Sequence, residues 1–389
     1  MVSISTPKVH IFSCDFDESF PLLFRVLLMK PSNSRIGIIG AGTSGTYLAG
    51  LLARQGFQVD LFERTRQPRA EGCGILVVQP GMIALQKGNP EICDRLVELG
   101  QPVTTFEFRN LLGGKINSEF ITYQNDELPG MLLHRKVILE VLLEAVPRKC
   151  LHCNAELETV TQTEEGVRAY FKDGREWQGD LLVGADGIIS KTREAVVPGV
   201  KPFYLGDVVW RGITIDRSFC PEGNFIVYVR GRGIYANFFH LGGDRTHWGF
   251  FVEREQGEND RWQLRPQDVT LPREELAKLP GNARDLIAST PANQIVCRYS
   301  YDIDPLPKLY QGRVVLIGDA GHAKSSTRAR GMTSGWEDAL LLTHHLTTAV
   351  DIPQALAAFQ AERLPVVHEY QRSSREQSLR IGRRQKWVA

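Results

Sequence analysis

Arg35-Ile-Gly-Ile-Ile-Gly40-Ala-Gly-Thr-Ser-Gly45, with Val59-Asp-Leu-Phe-Glu63 after it, is the stretch from which the rest of this 389-residue chain can be read. A short apolar β-rich run, a glycine turn, a helix-like stretch through Arg54 and a second short apolar run predict strand, turn, helix, strand. A helix-length crossover between two short buried strands returns them in parallel. Gly40, Gly42 and Gly45 then have the logic of a pyrophosphate site: a tight turn, an approach of backbone to phosphate, and close packing of helix on sheet. Glu63 stands 23 residues after Gly40, where a carboxylate accepts hydrogen bonds from both ribose hydroxyls and repels a 2'-phosphate. That suits the adenosine of FAD or NAD rather than of NADP. A glycine trio alone is weak, and its position between strand and helix, with Glu63 at this distance, tells against an ordinary glycine turn.

Outward from this unit, His134 to Ala145 reads as an amphipathic helix, Gly166 to Trp177 as a hairpin turning at Asp173-Gly174, and Asp180-Leu-Leu-Val-Gly as another buried strand. From Tyr204 to Arg298 the pattern changes to alternating, aromatic-rich segments such as Gly233-Ile-Tyr-Ala-Asn-Phe-Phe and His247-Trp-Gly-Phe-Phe-Val, which predict an antiparallel sheet. The α/β pattern resumes at Arg313-Val-Val-Leu-Ile-Gly-Asp, and helices over Thr333 to Val350 and Pro353 to Gln385 finish the chain. The expected fold class is α/β, a Rossmann-like dinucleotide fold interrupted by an antiparallel β-sheet, with C-terminal helices.

Composition narrows the partners. With 46 Lys and Arg against 45 Asp and Glu, a net charge of +1 gives no pull toward nucleic acid. No run approaches the roughly 20 apolar residues of a membrane span. The 7 cysteines, odd in number and thinly spread, argue against a disulfide framework and for a cytoplasmic protein. Cys150 and Cys153 have no second pair at zinc spacing, so no metal is expected. A monomer or homodimer is the simplest assembly. Residues 1–33 read as an extension, with a natural start expected at Met29. Deleting residues 1–28 is expected to leave soluble, flavin-loaded protein, and loss of either property would overturn that reading.

Two further aspartates end buried strands: Asp186 in Val183-Gly-Ala-Asp-Gly-Ile-Ile-Ser and Asp319 in Leu316-Ile-Gly-Asp-Ala-Gly-His. Ligands of open α/β sheets bind beyond such carboxyl ends. With the glycine trio, in this order and spacing, these segments resemble the FAD-dependent aromatic hydroxylases, such as salicylate, p-hydroxybenzoate and kynurenine hydroxylases, from Arg35 to about Tyr370. The resemblance implies FAD held by Gly40, Gly42, Ser44, Gly45, Glu63 and Arg64, with Arg135 along the phosphates. Asp186 would serve FAD and a transient NADPH or NADH, and Arg193 would support its loop. Asp319 would serve the ribityl and pyrophosphate region, and Gly331 and Met332 a helix N-terminus facing the flavin pyrimidine. Read from the residues alone, Arg135 and Arg193 could equally be surface helix arginines. The implied domains are an FAD-binding domain of residues 34–105, 131–203 and 299–389, and a substrate domain of residues 106–130 and 204–298.

The implied activity is monooxygenation: NAD(P)H reduces FAD, dioxygen forms a flavin C4a-hydroperoxide, and oxygen passes to a small aromatic or polycyclic substrate by hydroxylation or epoxidation. The chain departs from the family where a Pro and a Gly-Gln-Gly are usual, having Ser326 and Ala329-Arg-Gly331, and it has Thr333 where Asn is common. A reductase or cyclase that incorporates no oxygen therefore stays open as an alternative. A halogenase lacks support, since the Trp-x-Trp-x-Ile-Pro signature is absent. Lys324, Arg328 and Arg330 form a basic cluster that either contacts an anionic substrate or is a solvated loop. Arg211 and His240 are the polar candidates to orient or deprotonate a phenol-like group, although a lone histidine on an aromatic strand is more often structural.

Overall fold

The computed structural model describes residues 34–69, 73–124, 127–257, 263–266 and 269–380. The expected N-terminal extension and start at Met29 lie outside them, as does the end of the last predicted helix. Strand Arg35–Ile39 pairs in parallel with Gln58–Phe62 on one side and Leu181–Gly184 on the other. Val314–Leu316 and Leu151–His152 extend this parallel sheet, and Tyr310–Gln311 adds one antiparallel edge. The strands are short and buried on both faces, which is why they read as continuous apolar runs. One face carries helix Thr43–Arg54 and the C-terminal helices Arg330–Thr348 and Ile352–Arg380, and the other carries a three-stranded sheet that includes the hairpin Val167–Gly179.

A seven-stranded sheet stands beside this layer, in the order Val296–Asp302, Phe203–Ile215, Arg245–Glu253, Ile234–His240, Asn224–Gly231, Thr105–Arg109, Lys115–Phe120. It departs from the expected all-antiparallel pattern at one place, where Asn224–Gly231 pairs in parallel with Thr105–Arg109. Those two strands are far apart in sequence, so the early segment joins the sheet by crossing over rather than by a hairpin. The parity of the sheet is strict. Trp210, Ile226, Phe238, Trp248 and Phe250 face a core closed by helix Gly281–Ala288, and residues one position away face the opposite side. Each buried side chain of this size contributes about 2 kcal/mol. The indole N–H groups of Trp210 and Trp248 are satisfied by Val269 O at 3.0 Å and Thr290 Oγ1 at 2.8 Å, so the aromatic core carries no orphan donor there.

The C-terminal helices are tied to the parallel sheet by a buried charge network. Asp338 Oδ2 accepts from the Gly318 backbone N–H at 2.7 Å and faces His322 Nε2 at 2.6 Å, while Oδ1 accepts from Arg363 Nε. Arg363 also donates to Ser334 O at 2.9 Å and Glu337 Oε2 at 2.8 Å. Burial alone would raise the Asp338 carboxyl, but His322 and Arg363 pull it well below the ordinary carboxylate range. Breaking one partner of such a set strands the other. Asp338→Asn is expected to destabilise the fold by about 3 kcal/mol in denaturant unfolding, and Asp338→Asn combined with Arg363→Met to recover part of that loss.

Candidate active site

The parallel sheet ends in three neighbouring turns, after Ile39, Gly184 and Ile317, and together they open onto a cavity of about 870 Å³. Gly40 has φ +106°, and a Cβ there would come within 2.5 Å of Ala185 O, so the first and second turns interlock as only glycine allows. The helix from Thr43 starts at the cavity wall with no side-chain cap and no acidic residue in its first turn. A second helix N-terminus lies beside it, close enough that a Cβ on Gly335 would come within 2.9 Å of Ser44 Cβ. The helix predicted from Thr333 begins at Arg330, behind Ala329, again uncapped and without an acid in its first turn. Ala329 takes the left-handed conformation at φ 52°, at a position where the resembled family uses glycine. Both helix starts line the same cavity, and a Cβ on Gly42 or Gly331 would meet nothing within 4 Å. Two positive dipole ends facing open space are receptors for anionic groups.

The other expected cofactor residues fall around this space in different ways. Ser44, Arg135, Asp319, Gly331 and Met332 line it, and Arg135 Nε is buried with no hydrogen-bond partner among the described residues. Glu63 lies at the end of its strand, with Oε2 accepting from Ala41 N–H at 3.1 Å and Oε1 from Thr65 N–H at 3.0 Å. Arg64 beside it is exposed and does not line the cavity. The Asp186 carboxylate turns away from the cavity into its own loop, where Oδ1 accepts from Ser190 Oγ at 2.6 Å and Oδ2 from the N–H groups of Lys191 at 2.8 Å and Thr192 at 3.0 Å. Here it anchors the turn that places Ala185 and Gly187 on the cavity wall. Arg193 is not a surface arginine: it is 2% exposed and ties this loop to the Asp319 turn through Ile188 O at 2.6 Å and Ala320 O at 2.9 Å. The uncapped helix starts, the free space over two glycines and the orphan Arg135 Nε fit FAD.

The far half of the cavity is built by the seven-stranded sheet. Tyr235, Asn237 and Phe239 from one strand and His247 and Phe251 from the next face it. By the same alternation His240 faces the other side, 1% exposed, with its ring bonded to the Gly242–Gly243 backbone. The expectation of a cavity role for His240 is thus displaced by one residue of parity. The histidine that lines the cavity is His247, whose Nδ1 accepts from Gly74 N–H at 3.0 Å. Burial and the neighbouring Arg211 hold its ring well below the ordinary imidazole range, so it is neutral at pH 7 and free to accept from the backbone at Gly74. Strand parity, counted from Trp248 and Phe250 as core residues, was the signal that could have picked it out. Arg211 faces the cavity with its guanidinium 5.8 Å from the Phe251 ring centroid.

Of the basic cluster, Arg328 and Lys324 line the cavity, while Arg330 lies 5.0 Å from the Tyr370 ring centroid. Lys324 is no solvated side chain. Its Nζ donates to Ser334 Oγ at 2.7 Å and lies 2.9 Å from His322 Nδ1, and burial lowers the ammonium to about 8.

A family model described as FAD binding domain matches residues 33–374. The chain belongs to the FAD binding domain family. Within it, aurachin C monooxygenase/isomerase of Stigmatella aurantiaca is 29% identical over 352 residues, covering 90% of this chain and 89% of the relative. An FAD-dependent urate hydroxylase of Klebsiella pneumoniae is 27% identical over 341 residues, 85% of this chain and 86% of its own. Among solved structures, Klebsiella pneumoniae HpxO complexed with FAD and uric acid superposes with a TM-score of 0.80 at 21% identity, over 93% of this chain and 91% of that one. The expected fold class is thereby borne out. As a member of the FAD binding domain family whose relatives are named monooxygenases, the chain is an oxidoreductase of the FAD-dependent monooxygenase kind, a family acting on aromatic and polycyclic compounds. Among the described residues no helix is long and apolar enough to cross a membrane.

The buried amine has a measurable signature. Lys324 holds its proton in the unfolded chain up to about 10.5 but releases it near 8 when folded, so its burial penalty is full below pH 8 and fades as pH rises to 10.5. Lys324→Met is expected to raise the unfolding temperature relative to the parent at pH 7, and the gap to close between pH 8 and 10.5. A gap independent of pH would show that burial does not lower the amine's pKa in the folded protein.

Proposed function

We propose that this chain uses NADPH or NADH and dioxygen to hydroxylate or epoxidise a flat aromatic or polycyclic compound held against the seven-stranded sheet. The observation that carries the reading is the single continuous cavity. At one end are two uncapped helix starts with Arg135 and Asp319, and at the other an aromatic wall with Arg211 as its charged group. Bound FAD, once reduced by NAD(P)H, supplies the activation of dioxygen. The helix start at Arg330 and the backbone of Gly331 and Met332 would hold the flavin pyrimidine, and Gly42, Ser44 and Arg135 the pyrophosphate.

The protein's own part is orientation, charge and exclusion of water. Phe106, Phe225, Phe239 and Phe251 enclose the substrate ring on the sheet side. The Arg211 guanidinium, always protonated, holds an oxygen of the substrate and favours its ionised form, which enriches the ring in electrons at the moment of oxygen transfer. The neutral His247 holds the backbone of Gly74 on the cavity wall. The named relatives acting on aurachin C, urate and 3-amino-4-hydroxybenzoate support a ring substrate of this size.

A second reading, a reductase or cyclase without oxygen incorporation, is favoured by Ser326 in place of the family's proline and by the buried Lys324 amine, both lining the cavity. Labelled dioxygen separates the two. With a panel of phenolic, indolic, quinolone and polyketide compounds, NAD(P)H oxidation stimulated by one class that gains one labelled oxygen atom supports the monooxygenase. Turnover of FAD-loaded protein without label in the product supports the alternative. Arg211→Met is expected to lower kcat/KM for the accepted substrate about 100-fold while leaving FAD loading unchanged in the visible spectrum.

A further inference from the structure

The cavity face of the seven-stranded sheet is longer than a ring substrate needs. Arg211, Gly249, Asn237, Val227 and Phe108 stand opposite one another in register, from strand Phe203–Ile215 across four strand spacings to Thr105–Arg109. At the usual spacing this row is roughly 19 Å long. Its two ends, Arg211 and Phe108, line the same cavity. A second row on that face is aromatic without a break: His247 meets Phe239 with ring centroids 4.4 Å apart, Phe239 meets Phe225 at 5.0 Å, and Phe225 meets Phe106 at 5.5 Å. These rings also line the cavity.

Charge on this floor is confined to one end. Arg211 is the charged residue that the sheet gives to the cavity, whereas Arg135, Asp319, Lys324 and Arg328 come from elements outside it. Past Arg211 the row turns apolar. The Asn237 amide oxygen is buried and lies where a Cβ on Gly249 would come within 2.9 Å of it, so it is folded onto the sheet. Val227, Val229, Phe106 and Phe108 follow, and among the described residues the sheet sets no hydrogen-bonding side chain between them on the cavity side. Phe106, Phe108, Phe225 and Val229 are only half-buried, which leaves apolar surface for a ligand to cover. A compound of one or two rings held at Arg211 reaches across about two strand spacings and stops short of Val227 and Phe108.

We infer that the cavity takes an aromatic ring bearing a long apolar chain, with an acidic oxygen of the ring at Arg211 and the chain laid along the sheet past Val227 to Phe108. This inference rests on the monooxygenase reading above and names the substrate class of that site. An alkyl or isoprenoid chain fits because the far end offers apolar contact without direction, and a polar extension would lose its water there and gain no partner from the sheet. Each methylene that reaches this floor is worth about a fourfold gain in affinity.

The test titrates FAD-loaded full-length chain with 4-methyl-, 4-propyl-, 4-pentyl- and 4-heptylphenol, whose chains point away from the oxygen. Binding is read without reductant from the change in visible flavin absorbance, so it does not depend on turnover. Affinity is expected to rise about fourfold per methylene along the series. A charged chain end, in 8-(4-hydroxyphenyl)octanoate, is expected to forfeit most of that gain. Val227→Phe, which narrows the floor three strands from Arg211, stops the rise beyond the propyl probe. Should that variant fail to load FAD, Phe108→Ser at its half-buried position carries the same test and lowers the heptyl-to-methyl affinity ratio about tenfold. The inference is overturned if FAD-loaded protein binds none of the series, if affinity is flat beyond the propyl probe, if the carboxylate-ended probe binds as tightly as heptylphenol, or if the variants keep the ratio. Labelled dioxygen tells its failure from that of the reading beneath it. Phenols of every length hydroxylated alike overturn the chain and leave the monooxygenase, while graded affinity without incorporation of label keeps the chain and overturns the monooxygenase.

Discussion

One buried carboxylate holds the working half of the molecule in register. Asp338 accepts from the backbone of Gly318, from His322 and from Arg363, and so joins a strand end, the turn after it and two helices at one point. The turn carries Asp319, the helix carries Gly331 and Met332 at its start, and the loop between them carries Lys324. If those pieces drifted by even an ångström, the two helix N-termini would no longer point into the same space. A full buried charge is an expensive joint, and it is tolerable because both of its oxygens are met by donors.

The dinucleotide half was readable because its constraints are local. A strand of apolar β-rich residues, glycines at the close contacts and a carboxylate at the next strand end are each dictated by neighbours in sequence, and the structure forms the strand, turn and helix at the places expected. The sheet half was readable as alternation, but alternation has two phases. The cues in the sequence, aromatic residues of both phases such as Tyr235, Phe238 and Phe239, do not say which phase faces the cavity, and His240 and His247 were separated only by the contacts of Trp248 and Phe250 with the helices behind. The parallel pairing of Thr105–Arg109 with Asn224–Gly231 was not legible either, since it joins distant segments and leaves no local mark.

Charge was read least well. Arg193 and Lys324 carry ordinary surface residue types, and their burial depends on carbonyls, a hydroxyl and an imidazole from elements distant in sequence. Likewise Asp186 sits where a cofactor ligand is expected, yet its four hydrogen bonds are all to its own loop. A residue at the end of a strand can shape a site by organising the turn without entering it. The position of a carboxylate in a motif fixes where its backbone lies, while the direction of its oxygens is decided by which N–H groups the next few residues leave free.

The two faces of the seven-stranded sheet divide labour in a way that bears on how such an enzyme changes its diet. Residues of one parity, among them Trp210, Phe238 and Phe250, are locked against helices. Residues of the other parity, among them Val227, Tyr235 and Phe251, border the open cavity and set the shape of its sheet side. Exchanges at the second set alter the mould while the joinery of the fold, packed on the opposite face, keeps its contacts.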